Sequence, residues 1–91
     1  MNFEVLLHED AANTLLKMDA SVRERLIKRI ARMREEPSGR HLKYGLGFFV
    51  IEVGQYRIVY TFEGNHKTIY FLGDHKEYEK WYSTKQRSDT K

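Results

Sequence analysis

Cysteine is absent from the 91 residues. This excludes a disulfide framework, a thiolate metal site, a cysteine nucleophile and dithiol redox chemistry. Proline occurs once, at Pro37, and no apolar run approaches the ~20 residues that a membrane-spanning helix requires. The opening Met1-Asn2-Phe3-Glu4 has neither the basic nor the long apolar region of a secretory signal, so the cytoplasm is the expected compartment. The short motifs that mark common chemistries are also missing. There is no HExxH, P-loop, GxGxxG or GxSxG, and no histidine pair with a carboxylate at ligand spacing. Neither a metal centre nor a bound cofactor is expected.

What remains is ordinary globular material. Hydrophobic residues make up 41% and charged residues 32%, too apolar for a disordered chain. The length suits one domain, expected over residues 1–83, with a polar C-terminal tail over 84–91. The net charge of +3 is unevenly spread. Residues 1–22 carry one base against four acids, and residues 23–57 carry nine bases against four acids. A basic middle third suits a polyanionic partner, and it equally suits a solvated helix face.

The hydropathy pattern gives an element order. Phe3, Val5 and Leu7 alternate with polar residues, as in a half-buried strand. Ala11, Ala12, Leu15, Leu16 and Met18 have helical spacing over residues 9–18. A second helix follows to about residue 36, with Val22, Leu26, Ile27, Ile30 and Met33 as its apolar stripe. Asp19 or Ser21 can cap it, and Ser21 with Glu24 has capping-box spacing. Pro37-Ser38-Gly39 ends it. Strands are expected at 48–53, 56–63 and 67–72, joined by turns at Gly54-Gln55 and Gly64-Asn65. A short helix over 75–83 closes the chain. The order β-α-α-β-β-β-α predicts an α+β fold, with a helical hairpin on one face of a small antiparallel sheet and the other face partly open.

Strand alternation puts Arg57 on that open face. Its planar, permanently charged fork suits a phosphate, or else it pairs with Glu52 or Glu63 across the sheet. His75 follows the last strand and is the side chain best suited to proton transfer near neutral pH. Tyr78 and Tyr82 share its helical stripe, and aromatics beside bases can stack nucleobases. Trp81 is expected to pack inward. Arg40, His41 and Lys43 form a basic rim in the loop before the meander, and the basic second helix is expected to flank the same face.

Four segments then carry a resemblance to the RelE/ParE superfamily of toxins from type II toxin–antitoxin systems. Val22-Arg23-Glu24-Arg25-Leu26 resembles the start of that family's second helix. Leu42-Lys43 resembles its entry into the meander, with Tyr44 in place of the usual glycine. Gly54-Gln55-Tyr56-Arg57-Ile58-Val59-Tyr60 resembles its Gly-x-Tyr-Arg-x-x-Tyr hairpin, and Gly73-Asp74-His75-Lys76-Glu77-Tyr78 is similar to its basic-then-Tyr ending. The resemblance implies the RelE-like microbial RNase fold and a cognate antitoxin. On its RelE branch it implies an endoribonuclease that cuts mRNA in the ribosomal A site without a metal, inhibiting translation.

By the same resemblance Arg57 stabilises the phosphate and His75 moves a proton. Tyr78 or Tyr82 is the terminal aromatic, and Lys43, with His41 and Arg40, contacts RNA. The lysines often found on the family's second strand fall at Val50 and Glu52 here, so Glu52 is a candidate base or an anchor for Arg57. Two other readings stand beside this one: a ParE-like inhibitor of DNA gyrase, and a non-catalytic RNA- or protein-binding domain of the same fold.

Overall fold

A computed structural model describes residues 3–36, 40–41 and 48–89, with side chains described over 3–36 and 48–84. The elements are β1 (Glu4–Leu7), α1 (Glu9–Leu16), α2 (Ala20–Met33), β2 (Arg40–His41), β3 (Phe49–Val53), β4 (Tyr56–Glu63), β5 (His66–Asp74) and α3 (His75–Asp89). They form one sheet in the order β1-β5-β4-β3-β2. The β3-β4-β5 meander is antiparallel, as expected, and β2 pairs antiparallel with β3, whereas β1 joins β5 in parallel, Glu4 opposite His66 and Leu7 opposite Ile69. The parallel pairing follows from the helical hairpin, which supplies the long crossover that parallel neighbours require. The fold is therefore α+β with a mixed sheet. Among the described residues, no helix is long and apolar enough to cross a membrane.

The core lies between the helical hairpin and one sheet face. Ala11 and Leu15 of α1 and Leu26 and Met33 of α2 pack on Ile51, Ile58, Tyr60, Ile69 and Leu72. Two expectations about the stripes fail. Leu16 is 70% exposed and Ile27 48% exposed. The first helix stops at Leu16, short of residue 18, and Ile27 falls at the edge of a stripe already filled by Leu26 and Met33.

Of the two caps expected for α2, Asp19 holds the N-cap position. α2 begins after Asp19, whose side chain makes no capping bond, so the Ser21–Glu24 box is not the start signal. Instead Arg23 donates through Nη1 to the carbonyls of Leu16 and Met18, tying the end of α1 to the start of α2. α1 is capped by His8, whose Nδ1 accepts from the Asp10 amide.

β2 is a two-residue strand where a loop was expected, Arg40 pairing with Val50 and His41 with Phe49. It is too short to leave a periodic signal. α3 continues to Asp89, past the expected end at residue 83.

α3 crosses β5 and β4 on the face opposite the hairpin. There Val59 is fully buried although it lies outside the main core. A bulge shapes this face. Val59 pairs with Phe71 but Tyr60 pairs with Ile69, so Tyr70 is the extra residue. Ile69 and Leu72 thus both enter the core, and Tyr70 and Phe71 are left for the other face.

Candidate active site

The turn between β3 and β4 sets one wall of the site. Gly54 has φ +59°, the left-handed region that its position in the Gly54-Gln55 turn calls for. The start of α3 sets the opposite wall. Asp74 and Glu77 form a reciprocal capping box there: the Glu77 amide donates to Asp74 Oδ1 at 2.8 Å, and the Asp74 amide donates to Glu77 Oε1 at 2.9 Å. Gly73 lets this cap sit close, because a Cβ would lie 2.8 Å from both Glu77 Oε1 and Phe71 Cζ and would force those side chains to shift. The Asp-x-x-Glu spacing at residues 74–77 is a readable helix-start signal. It fixes His75 as the first helical residue.

Between these walls is an open groove of about 610 Å³, lined by Gly54, Gln55, Arg57, Asp74, His75 and Lys76. Arg57 and His75, far apart in sequence, thus meet in one groove. Arg57 is mostly buried. Its Nη1 donates to the carbonyls of Gly54 and Tyr56, at 3.2 and 3.1 Å, which locks the guanidinium against its own turn. Its Nε lies 3.9 Å from Oε2 of Glu52, its cross-strand neighbour. Of the two carboxylates expected as partners, Glu52 is therefore the one present. Glu63 sits at the far end of the strand opposite His66. His75 is exposed and its Nε2 lies 3.0 Å from Oε2 of Glu79, one helical turn on.

Tyr78 stacks on Tyr82, with centroids 5.8 Å apart and planes at 13°, and tilts against Phe71. Burial pushes the Tyr78 phenol above the usual tyrosine range, and Tyr82 pushes the same way. Arg57 pulls the phenol down and Glu52 pushes it up, so Tyr78 feels both members of the Arg57–Glu52 pair. Trp81 packs inward as expected, stacked on Phe71 at 5.4 Å and edge-on to Phe48 at 5.3 Å.

The basic helix does not flank this face. α2 packs on the opposite side of the sheet, because its apolar stripe needs the core. Much of its charge is also engaged locally. Arg29 lies 2.8 Å from Glu36 Oε1, Arg32 lies 3.3 Å from Glu36 Oε2, and Arg23 caps α1. Arg25 does reach the Gly54 turn, its Nη1 3.5 Å from where a Cβ would stand. Arg40 and His41 belong to β2, but their side chains, and all of Lys43, lie outside the described residues. Among the described residues, no group of three or more His, Cys, Asp or Glu side chains is placed to share a metal ion.

Lys67 was not singled out as a key residue in the sequence. It is 1% exposed. Its Nζ donates to the Met33 and Glu36 carbonyls and sits 4.5 Å from the Phe3 ring centroid. A cation at a helix C-terminus complements the dipole and satisfies orphan carbonyls. The position of Lys67 within the Phe62–Leu72 stretch, on the core side of a strand, was the available signal.

No protein-family model matches the chain, and no curated protein does. Solved structures do. A double arginine-to-alanine mutant of the E. coli toxin RelE in the free state superposes with a TM-score of 0.76 at 22% identity, over 96% of this chain and 98% of that one. The RelBE2 toxin–antitoxin complex of Mycobacterium tuberculosis gives 0.75 at 20% identity, over 82% and 100%. The RelB–RelE antitoxin–toxin complex of Methanococcus jannaschii gives 0.65 at 16% identity, over 85% and 98%. The likeness spans nearly the whole chain, from β1 through α3, and in architecture this protein has the fold of the RelE toxins.

Proposed function

We propose that this protein is the toxin of a type II toxin–antitoxin pair and acts as a ribosome-dependent endoribonuclease on mRNA. The observation that carries the reading is the convergence of Arg57 and His75 on one groove. The fold supports it, since several structures of that fold are toxin–antitoxin complexes. By the same reasoning the partners are a cognate antitoxin, the ribosomal A site and mRNA, and the compartment is the cytoplasm.

The chemistry needs only side chains and the substrate's own 2′-hydroxyl. A base removes the 2′-hydroxyl proton, the 2′-oxygen attacks the adjacent phosphorus, and a phosphorane forms. The P–O5′ bond then breaks, the departing 5′-oxygen takes a proton, and a 2′,3′-cyclic phosphate and a 5′-hydroxyl remain. Arg57 cannot act as a base near neutral pH, so its part is to stabilise phosphorane charge. Its Nη1 is committed to backbone carbonyls, which pre-sets the rest of the fork. His75 moves a proton, with Glu79 at its far nitrogen. Tyr78, a phenol protonated near neutral pH and pushed further in that direction by burial, can donate but not accept a proton there. Tyr82 backs it by stacking. Glu52 anchors Arg57 from the neighbouring strand, and Arg40, His41 and Lys43 are the proposed RNA contacts.

Induced expression followed by primer extension on a reporter mRNA tests the reading. Cleavage within codons that depends on translation is the expected result. Growth arrest with intact mRNA and inhibited gyrase supercoiling would transfer the protein to the gyrase-inhibitor class.

A further inference from the structure

Beyond the groove, the same sheet face carries a continuous series of ring contacts. His8 meets Tyr70 at 5.2 Å, Tyr70 meets Phe48 at 6.0 Å, and Phe48 meets Trp81 at 5.3 Å. Trp81 stacks on Phe71, which meets Tyr78 of the site. The β5 bulge makes this possible, because strict alternation would have sent either Tyr70 or Phe71 into the core. At the far end of the series, Tyr70 is 38% exposed. Phe48 meets it edge-on at 83° and His8 at a 36° tilt, so neither ring lies parallel on it. Arg57 pairs with Gly73, three residues from Tyr70 along β5 and so about 10 Å away. One extended strand of RNA can reach both.

The geometry points to Tyr70, flanked by His8, as a stacking subsite for an unpaired nucleobase of the RNA whose phosphate is held at Arg57. This inference rests on the nuclease reading and adds a substrate contact to it. An aromatic face receives any base, because every base has a π-face, whereas discrimination requires hydrogen bonds to base edges. Tyr70 therefore contributes affinity and position, not sequence choice. Leu6, 46% exposed on β1 beside this face, is the feature that would instead suit a protein partner, and the experiment separates the two.

The experiment is binding of a short single-stranded RNA, followed by fluorescence anisotropy, to the whole protein and to Tyr70→Leu, Tyr70→Phe and Arg57→Ala. Loss of a base–aromatic stack corresponds to about 5- to 150-fold weaker binding, expected for Tyr70→Leu. Tyr70→Phe should stay within about twofold of the parent. An abasic scan of the RNA gives an arm in which the protein is untouched. One abasic position should weaken the parent by a similar factor and have no further effect on Tyr70→Leu. If Arg57→Ala weakens binding while Tyr70→Leu and every abasic RNA behave as the parents do, the subsite is overturned and the nuclease reading stands. If the parent protein binds no RNA, the subsite is overturned, while the nuclease reading stands or falls on cleavage of the reporter mRNA. If Tyr70→Leu leaves RNA binding intact but changes self-association in sedimentation, the face belongs to a protein contact and the subsite is overturned.

Discussion

Glu52 and Arg57 are direct cross-strand partners, and the carboxylate stands 3.9 Å from the guanidinium Nε. That spacing is loose for an ion pair, and the Arg57 Nη1 is held by the backbone instead. The pair is better suited to aiming the guanidinium than to neutralising it. Arg57→Ala should therefore lower single-turnover cleavage on programmed ribosomes by ~10²–10³ at every pH. Glu52→Gln, which keeps the shape and removes the charge, should cleave within about tenfold of the parent, a smaller loss than removal of a catalytic base produces. A dead Glu52→Gln alongside an active His75→Ala would make the carboxylate the base.

His75 differs from Arg57 in kind. His75→Ala should lower the rate by ~10²–10⁴ and also change the shape of the pH–rate profile between pH 5.5 and 9, because the titrating group is gone. The side chain is exposed, so the melting temperature should stay close to that of the parent. A parallel downward shift of the whole profile, with its shape intact, would leave His75 a binding residue.

Tyr78 should ionise later than an ordinary tyrosine, because burial disfavours the phenolate and Tyr82 adds to the effect. In an ultraviolet titration of the folded protein, Tyr78→Phe should remove a late-titrating phenol. The sign for stability follows. A folded value above the unfolded ~10 means that full stability is kept below pH ~10 and falls as pH rises through the raised value. Tyr78→Phe should flatten that alkaline loss.

Lys67 separates the stem of a lysine from its head. Lys67→Met keeps the packed stem and leaves the Met33 and Glu36 carbonyls without their donor, a cost of about 1–3 kcal/mol. Lys67→Ala adds a cavity and should cost at least about 2 kcal/mol more. Chemical denaturation of the three proteins gives both differences. Equal stability of Lys67→Met and the parent would show that desolvation, which lowers the Lys67 pKa, cancels the bonds.

The meander and the helical hairpin were legible because each element has a clean period and each turn a glycine at the required place, as Gly54 and Gly64 show. Arg57 and His75 were legible as residues and the family resemblance implied a shared site, but the pairing of β4 with β5 that sets Arg57 opposite Gly73 was not legible from the residues themselves. The bulge was hidden for a related reason. Ile69-Tyr70-Phe71-Leu72 reads as a plain apolar run, and only the partner strand reveals which residue is extra. Lys67 looked like a strand-end charge, because alternation cannot tell that a helix terminus waits above it to receive an ammonium group.

The parallel pairing of Glu4 with His66 also bears on how the chain is made. β1 leaves the ribosome well before β5, which among the described residues is its neighbour in the sheet. Until β5 arrives, β1 has nothing to zip onto, and closing so long a loop is an entropic cost that early local contacts do not offset. Arg57 is held opposite Gly73 by the same late strand. A nascent chain thus reaches its finished arrangement only after β5 has emerged, and throughout that interval β1 remains open to capture by another extended polypeptide.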